Sequence, residues 1–204
     1  TKSESAGFAK HFVPAIHTLP PLREENYASV LITKHNATEL TNPRAPLIPQ
    51  TSDVLECTIH TCPTLIKQDL ASLFPARKFS SEPLTALVLS HRTTTSPNEW
   101  SELAASEREA LAETFTRSAI DVCATLKELG YWADFIDPNT GTPYLGAQGD
   151  NALMETDERM RHFGFELDDF RCCKVLRHPR WKHHVFVGLI FTDAPKDHPI
   201  LSNF

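Results

Sequence analysis

Two adjacent cysteines, Cys172 and Cys173, are the residues of this chain best suited to do chemistry. They stand near the start of segment 171–184, which holds five Lys or Arg and three His residues but no Asp or Glu. A cysteine acts as a nucleophile or metal ligand only as the thiolate, and nearby positive charges favour that form. The segment therefore favours a thiolate at one of the two sulfurs.

The pair also opens a predicted strand, Cys172 to Leu176, on which successive side chains face opposite ways. One sulfur would then face solvent or a partner while the other faces the core. A shift of one residue in the register would exchange the two sulfurs. The competing interpretation is that both cysteines are small buried hydrophobic residues. A disulfide between neighbouring cysteines would distort the intervening peptide bond and is not expected.

Length and composition predict one sizeable soluble domain, because the 204 residues are 41% hydrophobic and 23% charged. A net charge of −6 argues against general nucleic-acid binding. The longest apolar run, Val185 to Phe191, is far shorter than the roughly 20 residues of a membrane-spanning helix, so no membrane partner is expected. Five cysteines without disulfide-framework spacing predict an intracellular, reduced protein. We expect a cytoplasmic location, with a mitochondrial pool if a leader precedes this numbering.

Residues 1–51 differ in composition from the rest of the chain. They hold six of the 15 prolines and few apolar clusters beyond Tyr27 to Ile32. Such sequence buries too little apolar surface to offset the entropy of ordering it. We expect a Pro-rich, partly disordered N-terminal arm with one candidate strand, Val30–Thr33, followed by a folded domain over residues 52–204.

The folded domain alternates between strand and helix patterns. Strands are predicted at 54–60, 84–90, 131–136, 173–177 and 184–192, and helices at 61–73, 106–129 and 155–162. The long helix has a capping box at Ser106 and Glu109, an apolar stripe at spacings of three and four, and Gly130 at its end. The last two strands are close enough to form a hairpin. The pattern predicts an α+β fold, a mainly antiparallel sheet with flanking helices.

Other candidate sites are weaker. Cys57, His60 and Cys62 lie close together, but their spacing matches no common zinc site. Glu155 and Arg159 are expected to form an ordinary i, i+4 salt bridge on the short helix. The acidic stretch Glu166–Asp169 is expected to shape an electrostatic surface beside the basic segment. There is no phosphate-binding or nucleophile-elbow motif, so a thiol-bearing binding protein is favoured over an enzyme.

Several blocks of this sequence resemble one family, that of the cobalamin-trafficking chaperone CblD, the methylmalonic aciduria and homocystinuria type D protein. The resemblance covers about residues 52–192 and, faintly, residues 20–40. The blocks are ECTIHTCP (56–63), SLFP (72–75), GYWADFIDP (130–138), ETDER (155–159) and CCKV (172–175), with Arg177-His178 following.

The resemblance implies a fold like that of flavin-dependent nitroreductases, without flavin and without catalysis. It implies binding to a CblC-like processing protein that carries cobalamin (vitamin B12), which is then directed to methionine synthase and to methylmalonyl-CoA mutase. Cys172 would supply a thiolate to cobalt, with Cys173 as its buried neighbour and the alternative ligand, and Lys174 and Arg177 would support the thiolate. No cofactor would be bound by the chain alone, because the cobalamin is shared with the partner.

Two other functions remain open at this point. One is a flavin- or thiol-dependent reductase built on the same scaffold, and the other is a scaffold whose cysteines are inert. Arg171 stands where the family is expected to have a small residue, which could alter access to the pair or strengthen its thiolate character.

Overall fold

The computed structural model describes residues 52–79, 82–96, 101–171 and 173–201, so the predicted strand Val30–Thr33 lies outside the described residues. Strands β1, β2, β6 and β3 form one sheet in that order, β4 and β5 form a second, and every pairing is antiparallel. This confirms the predicted α+β class. In chain order the elements are β1 (Leu55–Thr61), α1 (Thr64–Ala71), β2 (Thr85–Arg92), α2 (Glu102–Glu128), β3 (Ala133–Phe135), a 3₁₀ helix (Glu158–Phe163), β4 (Glu166–Asp169), β5 (Lys174–Arg177) and β6 (Val185–Thr192).

The four-stranded sheet separates two hydrophobic cores, because the side chains of β2 and β6 alternate between its faces. Leu87 and Ile190 belong to the core beneath α2, together with Phe115 of that helix. Val88 and Phe191 belong to the opposite core, which also takes in α1, the 3₁₀ helix, β4 and β5. Burial on both faces explains why these two strands read as nearly continuous apolar runs.

Helix α2 begins earlier than predicted. Ser101 is its N-cap, and its side chain accepts a hydrogen bond from the Ala104 N–H at 3.1 Å. The predicted cap, Ser106, therefore lies inside the helix, because Ser101 already satisfies an amide in the first turn. The predicted end is confirmed, since Gly130 follows the helix with φ of 85°. Among the described residues, no helix is long and apolar enough to cross a membrane.

The predicted hairpin between the last two strands is wrong. β5 pairs with β4, whereas β6 pairs with β2 and β3. A tight turn closed by the His178–Lys182 bridge, with Lys182 at φ of 57°, carries the chain from the small sheet to the large one. β4 escaped prediction because its sequence, ELDD, offers one apolar residue and three acids.

The predicted helix 155–162 is the shorter 3₁₀ helix Glu158–Phe163, and the expected salt bridge beside it is also wrong. Glu155 pairs with Arg108 of α2 at 2.7 Å, and Arg159 pairs with Asp157 at 2.7 Å. Glu155 and Arg159 therefore each have another partner. The residues before Glu158 are not helical, so the i, i+4 geometry that would bring the two together does not form.

His178 is a buried histidine in the turn between β5 and β6, and its side chain is held in the neutral form. Nδ1 accepts hydrogen bonds from the N–H groups of Arg180 at 3.2 Å and Trp181 at 3.4 Å, so a proton there would break both. The imidazole also stacks on the Trp181 ring, 4.5 Å between centroids. Burial lowers the pKa of His178, against the opposing effect of Glu56, whose Oε1 lies 3.6 Å from Nε2.

We expect the free energy of unfolding to fall as the pH drops below about 6.5, the pKa of histidine in an unfolded chain. In that range the unfolded chain takes up a proton that the folded His178 does not. His178→Asn, whose side-chain oxygen can accept the same two hydrogen bonds, should flatten this dependence. Urea unfolding at pH 7.5 and 5.5 measures it, and an equal drop in both proteins would contradict the assignment. Burial also lowers the pKa of His60 and His91, so some dependence should persist.

Candidate functional site

Cys173, the described member of the cysteine pair, lies at the tip of the β4–β5 hairpin. The hairpin is closed by the Phe170 N–H, which donates to the carbonyl of Cys173 at 3.0 Å. Arg171 and Cys172 are the two residues that this bond spans; Cys172 itself lies outside the described residues. Arg171 has φ of 53°, the left-handed conformation that tight hairpin turns require. Its N–H donates to Asp169 Oδ1 at 3.1 Å, which steadies the turn.

The hairpin is anchored at its other end by apolar contacts. Leu167 of β4 and Leu176 of β5 are directly paired, and both are buried in the core opposite α2. Val175, which pairs with Asp168 one position nearer the tip, is buried as well. The tip therefore projects from a fixed base.

Cys173 is exposed, which corrects the expectation that it is the buried neighbour of the pair. The strand begins at Lys174, so the two cysteines precede it, and the alternation of side chains along a strand does not apply to them. The other described cysteines are buried. Burial raises the pKa of Cys57 and Cys123 to about 12 and that of Cys62 to about 11, so these thiols stay protonated near neutral pH.

Two basic residues of the hairpin, Lys174 and Arg177, are paired with acids, a feature that the basic run alone did not predict. Lys174 Nζ lies 2.6 Å from Glu158 Oε1, and this contact raises the pKa of Lys174. Arg177 contacts Glu166, and its Nε lies 3.2 Å from Asp168 Oδ2. The prediction that the acids shape a surface beside the basic segment is confirmed.

One side of the hairpin carries an aromatic contact that the sequence analysis missed. Phe170 is 45% exposed, and its ring meets the imidazole of His183 edge to face at 5.5 Å. His183 Nε2 in turn lies 2.8 Å from Asp168 Oδ2. The neighbouring His184 points elsewhere, with Nδ1 3.2 Å from the carbonyl oxygen of Thr95. An exposed aromatic side chain is thus held rigidly beside the cysteine pair.

No group of three metal-ligating side chains forms within the described ranges. His60 contacts Thr58 Oγ1 at 2.9 Å through Nε2, and the two neighbouring cysteines are the buried thiols with raised pKa. The candidate site is accordingly the hairpin tip with the exposed thiol of Cys173.

Comparison with known protein families decides the family of this chain. A family model, described as methylmalonic aciduria and homocystinuria type D protein, matches residues 16–204. The chain belongs to this family. The type D match includes both the hairpin and the greater part of the N-terminal arm.

Three vertebrate proteins named cobalamin trafficking protein CblD are similar to this type D chain. The human protein is 46% identical over 147 residues, 72% of this chain and 49% of its own length. The chicken (Gallus gallus) protein is 45% identical over the same number of residues, with the same coverage. The rat protein is 41% identical over 189 residues, 89% of this chain and 62% of its own length. The chain thus spans about half to three fifths of the curated relatives.

The type D block GYWADFIDP also has a structural use, which centres on the buried carboxylate of Asp134. Its two oxygens accept hydrogen bonds from the N–H groups of Phe135 and Leu145, both at 2.8 Å, and of Gly146 at 3.0 Å. The carboxylate therefore fixes the start of the loop that follows β3. This block positions the scaffold and lies outside the hairpin.

Glu158→Gln in this type D chain is expected to speed alkylation of Cys173 by iodoacetamide about twofold, because it removes a negative charge and leaves Lys174 without its acid partner. The comparison is made at pH 7.5 in a Cys172→Ser background, so that one exposed thiol is followed by peptide mass spectrometry. Glu113→Gln is the matched control, since it breaks an exposed ion pair with Arg117 on α2. Equal rates in the two variants would contradict the effect.

Proposed function

We propose that this chain is a cobalamin-trafficking adaptor that docks on a CblC-like protein and presents a cysteine thiolate to the cobalt of the cobalamin bound there. Cys172 is the proposed ligand and Cys173 the alternative. The thiol proton leaves to solvent, and the thiolate donates an electron pair to an open cobalt position, so that a cobalt–sulfur bond forms without electron transfer. The adaptor then directs the cofactor towards methionine synthase and methylmalonyl-CoA mutase, with no catalysis of its own.

The observation that carries the proposal is the exposure of Cys173 at the closed tip of the β4–β5 hairpin. A ligand offered to a metal held by another protein must project beyond its own fold, and a hairpin tip on a buried base does so. Thiolate is a soft ligand of the kind that suits a transition metal with an open face. Family membership and the trafficking name of the curated relatives support cobalamin as the cofactor.

The paired charges at the hairpin suggest where the thiolate comes from. Lys174 and Arg177 each contact a carboxylate, so their net effect on the thiols is reduced. A coordinated metal ion can itself deprotonate a thiol. We therefore assign the deprotonation mainly to cobalt. Lys174, Arg177 and their acid partners instead form a rim of alternating charge that orients the partner protein.

The test uses a CblC-type protein loaded with cob(II)alamin and kept anaerobic. Adding this chain should produce a new cobalt EPR signal and a changed visible spectrum, both typical of thiolate ligation. Complex formation is followed in parallel by size-exclusion chromatography. An unchanged cobalt spectrum in a demonstrated complex would contradict thiolate donation, and tightly bound flavin in the purified chain would favour a reductase instead.

A further inference from the structure

β1 is an end strand of the large sheet, and half of its backbone groups face away from that sheet. Cys62 N–H donates to the Leu84 carbonyl at 2.7 Å, and Arg92 N–H donates to the Val54 carbonyl at 2.8 Å. Antiparallel pairing alternates, so the N–H and C=O groups of Thr58 and His60 also point towards β2. Those of Ile59 and Thr61 point away from β2, to the side where no other strand of the described residues pairs with β1.

A groove of about 770 Å³ lies along this edge. Ile59 and Pro195 contribute accessible apolar surface to it, and Lys196 and Asp197 contribute charges. Ile59 is only half-buried although it packs against the core beneath α2. An end strand with an apolar groove beside it is suited to accept one more strand, which would supply backbone hydrogen bonds and fill the groove with alternate side chains.

We propose that residues 27–33 of the same chain occupy this edge, pairing with β1 as a fifth strand of the sheet. The sequence YASVLIT has the β-branched and aromatic residues that favour a strand, and Ala28, Val30 and Ile32 would share one face. That face is small and apolar, as a groove lined by Ile59 and Pro195 requires. The proposal is independent of the cobalt chemistry.

The position of the arm makes the contact feasible. The 51 residues before the described domain join it at Ser52, directly before β1. Residues 34–51 form a connection of 18 residues that can span up to about 60 Å. β1 has seven residues and extends about 23 Å, so the segment can reach the edge in either direction. The family model begins at residue 16 and so includes the segment.

Tethering favours this occupant over a second copy of the chain or a strand from another protein. A segment joined by a short linker competes at an effective concentration in the millimolar range. An untethered strand at micromolar concentration would need a far higher affinity to displace it. The segment would also cover an edge that otherwise risks pairing with other chains.

Amide hydrogen exchange of the full chain tests the proposal, because neighbouring residues of β1 serve as internal controls. The amides of Ile59 and Thr61 should be protected, as are those of Thr58 and His60, which point towards β2. Successive N–H groups of a strand point to opposite edges, so Val30→Pro with Leu31→Pro removes one donor from each edge of the segment. In that variant Ile59 and Thr61 should exchange at least about tenfold faster, while Thr58 and His60 keep their protection.

Ala37→Pro with Thr38→Pro is the matched control, since it places two prolines in the connection and should leave all four amides unchanged. The proposal is overturned if Ile59 and Thr61 already exchange at unprotected rates in the unaltered chain. It is also overturned if their protection survives the proline pair at 30 and 31. Protection that survives and rises with protein concentration would assign the edge to a second copy.

Discussion

Cys172→Ser is expected to abolish the cobalt–thiolate EPR signal of the complex with a CblC-type protein. Cys173→Ser is expected to leave that signal largely intact. The carbonyl of Cys173 accepts the hydrogen bond that closes the hairpin, so the backbone of this residue is fixed. Cys172 is one of the two residues that the closing bond spans. A serine hydroxyl stays protonated at neutral pH and is a poor substitute for the soft thiolate.

The two serine variants control for each other, since each leaves one thiol in the hairpin. Size-exclusion chromatography must show that both still form the complex, because only then does a lost EPR signal report on the ligand. Loss with Cys173→Ser alone would move the ligand to Cys173 and keep the function. A signal that persists in both single variants and in the double variant would exclude both sulfurs as the ligand.

Local patterns predicted most elements of the scaffold but not how the strands of the small sheet pair. β1, β2 and β6 were predicted to within two residues at each end, because their apolar runs are set by burial against the cores. The β4–β5 pairing was missed, since β4 has a single buried apolar residue, Leu167, and three acids. Its strand conformation comes from the partner strand, and tertiary context of this kind overrides local propensity.

The cysteine pair and an acidic surface beside it could be predicted from sequence, whereas the individual ion pairs could not. The basic run 171–184 itself contains no acid. Folding places Glu158, Glu166 and Asp168 against that run, from a 3₁₀ helix and a neighbouring strand. The register of β4 against β5 brings Glu166 and Asp168 to Arg177, and the packing of the 3₁₀ helix brings Glu158 to Lys174. The partner of each charge was therefore a property of the fold.

Gly188 marks a close approach between the large sheet and the Phe115 side chain of α2. A Cβ atom built there would lie 2.2 Å from two ring carbons of Phe115. That ring is held by Phe135 at 5.8 Å and Phe186 at 6.3 Å, both in edge-to-face contacts, so it has little room to move. A glycine inside a strand often marks such an approach, and only the structure identifies the group that comes close.

Gly188→Ala is expected to lower the free energy of unfolding by about 3 kcal/mol, near the upper end of the usual cost of overpacking a core. Phe115→Leu should cost about 1–3 kcal/mol alone, because it shortens a buried side chain. The double variant should lose less free energy of unfolding than the two single variants lose together, because the alanine fills space that the Phe115 ring leaves. Urea unfolding of the four proteins measures the coupling, and additive costs would contradict the close approach. The cysteine hairpin packs on the opposite face of the sheet, so the folded double variant should keep the alkylation rate of Cys173.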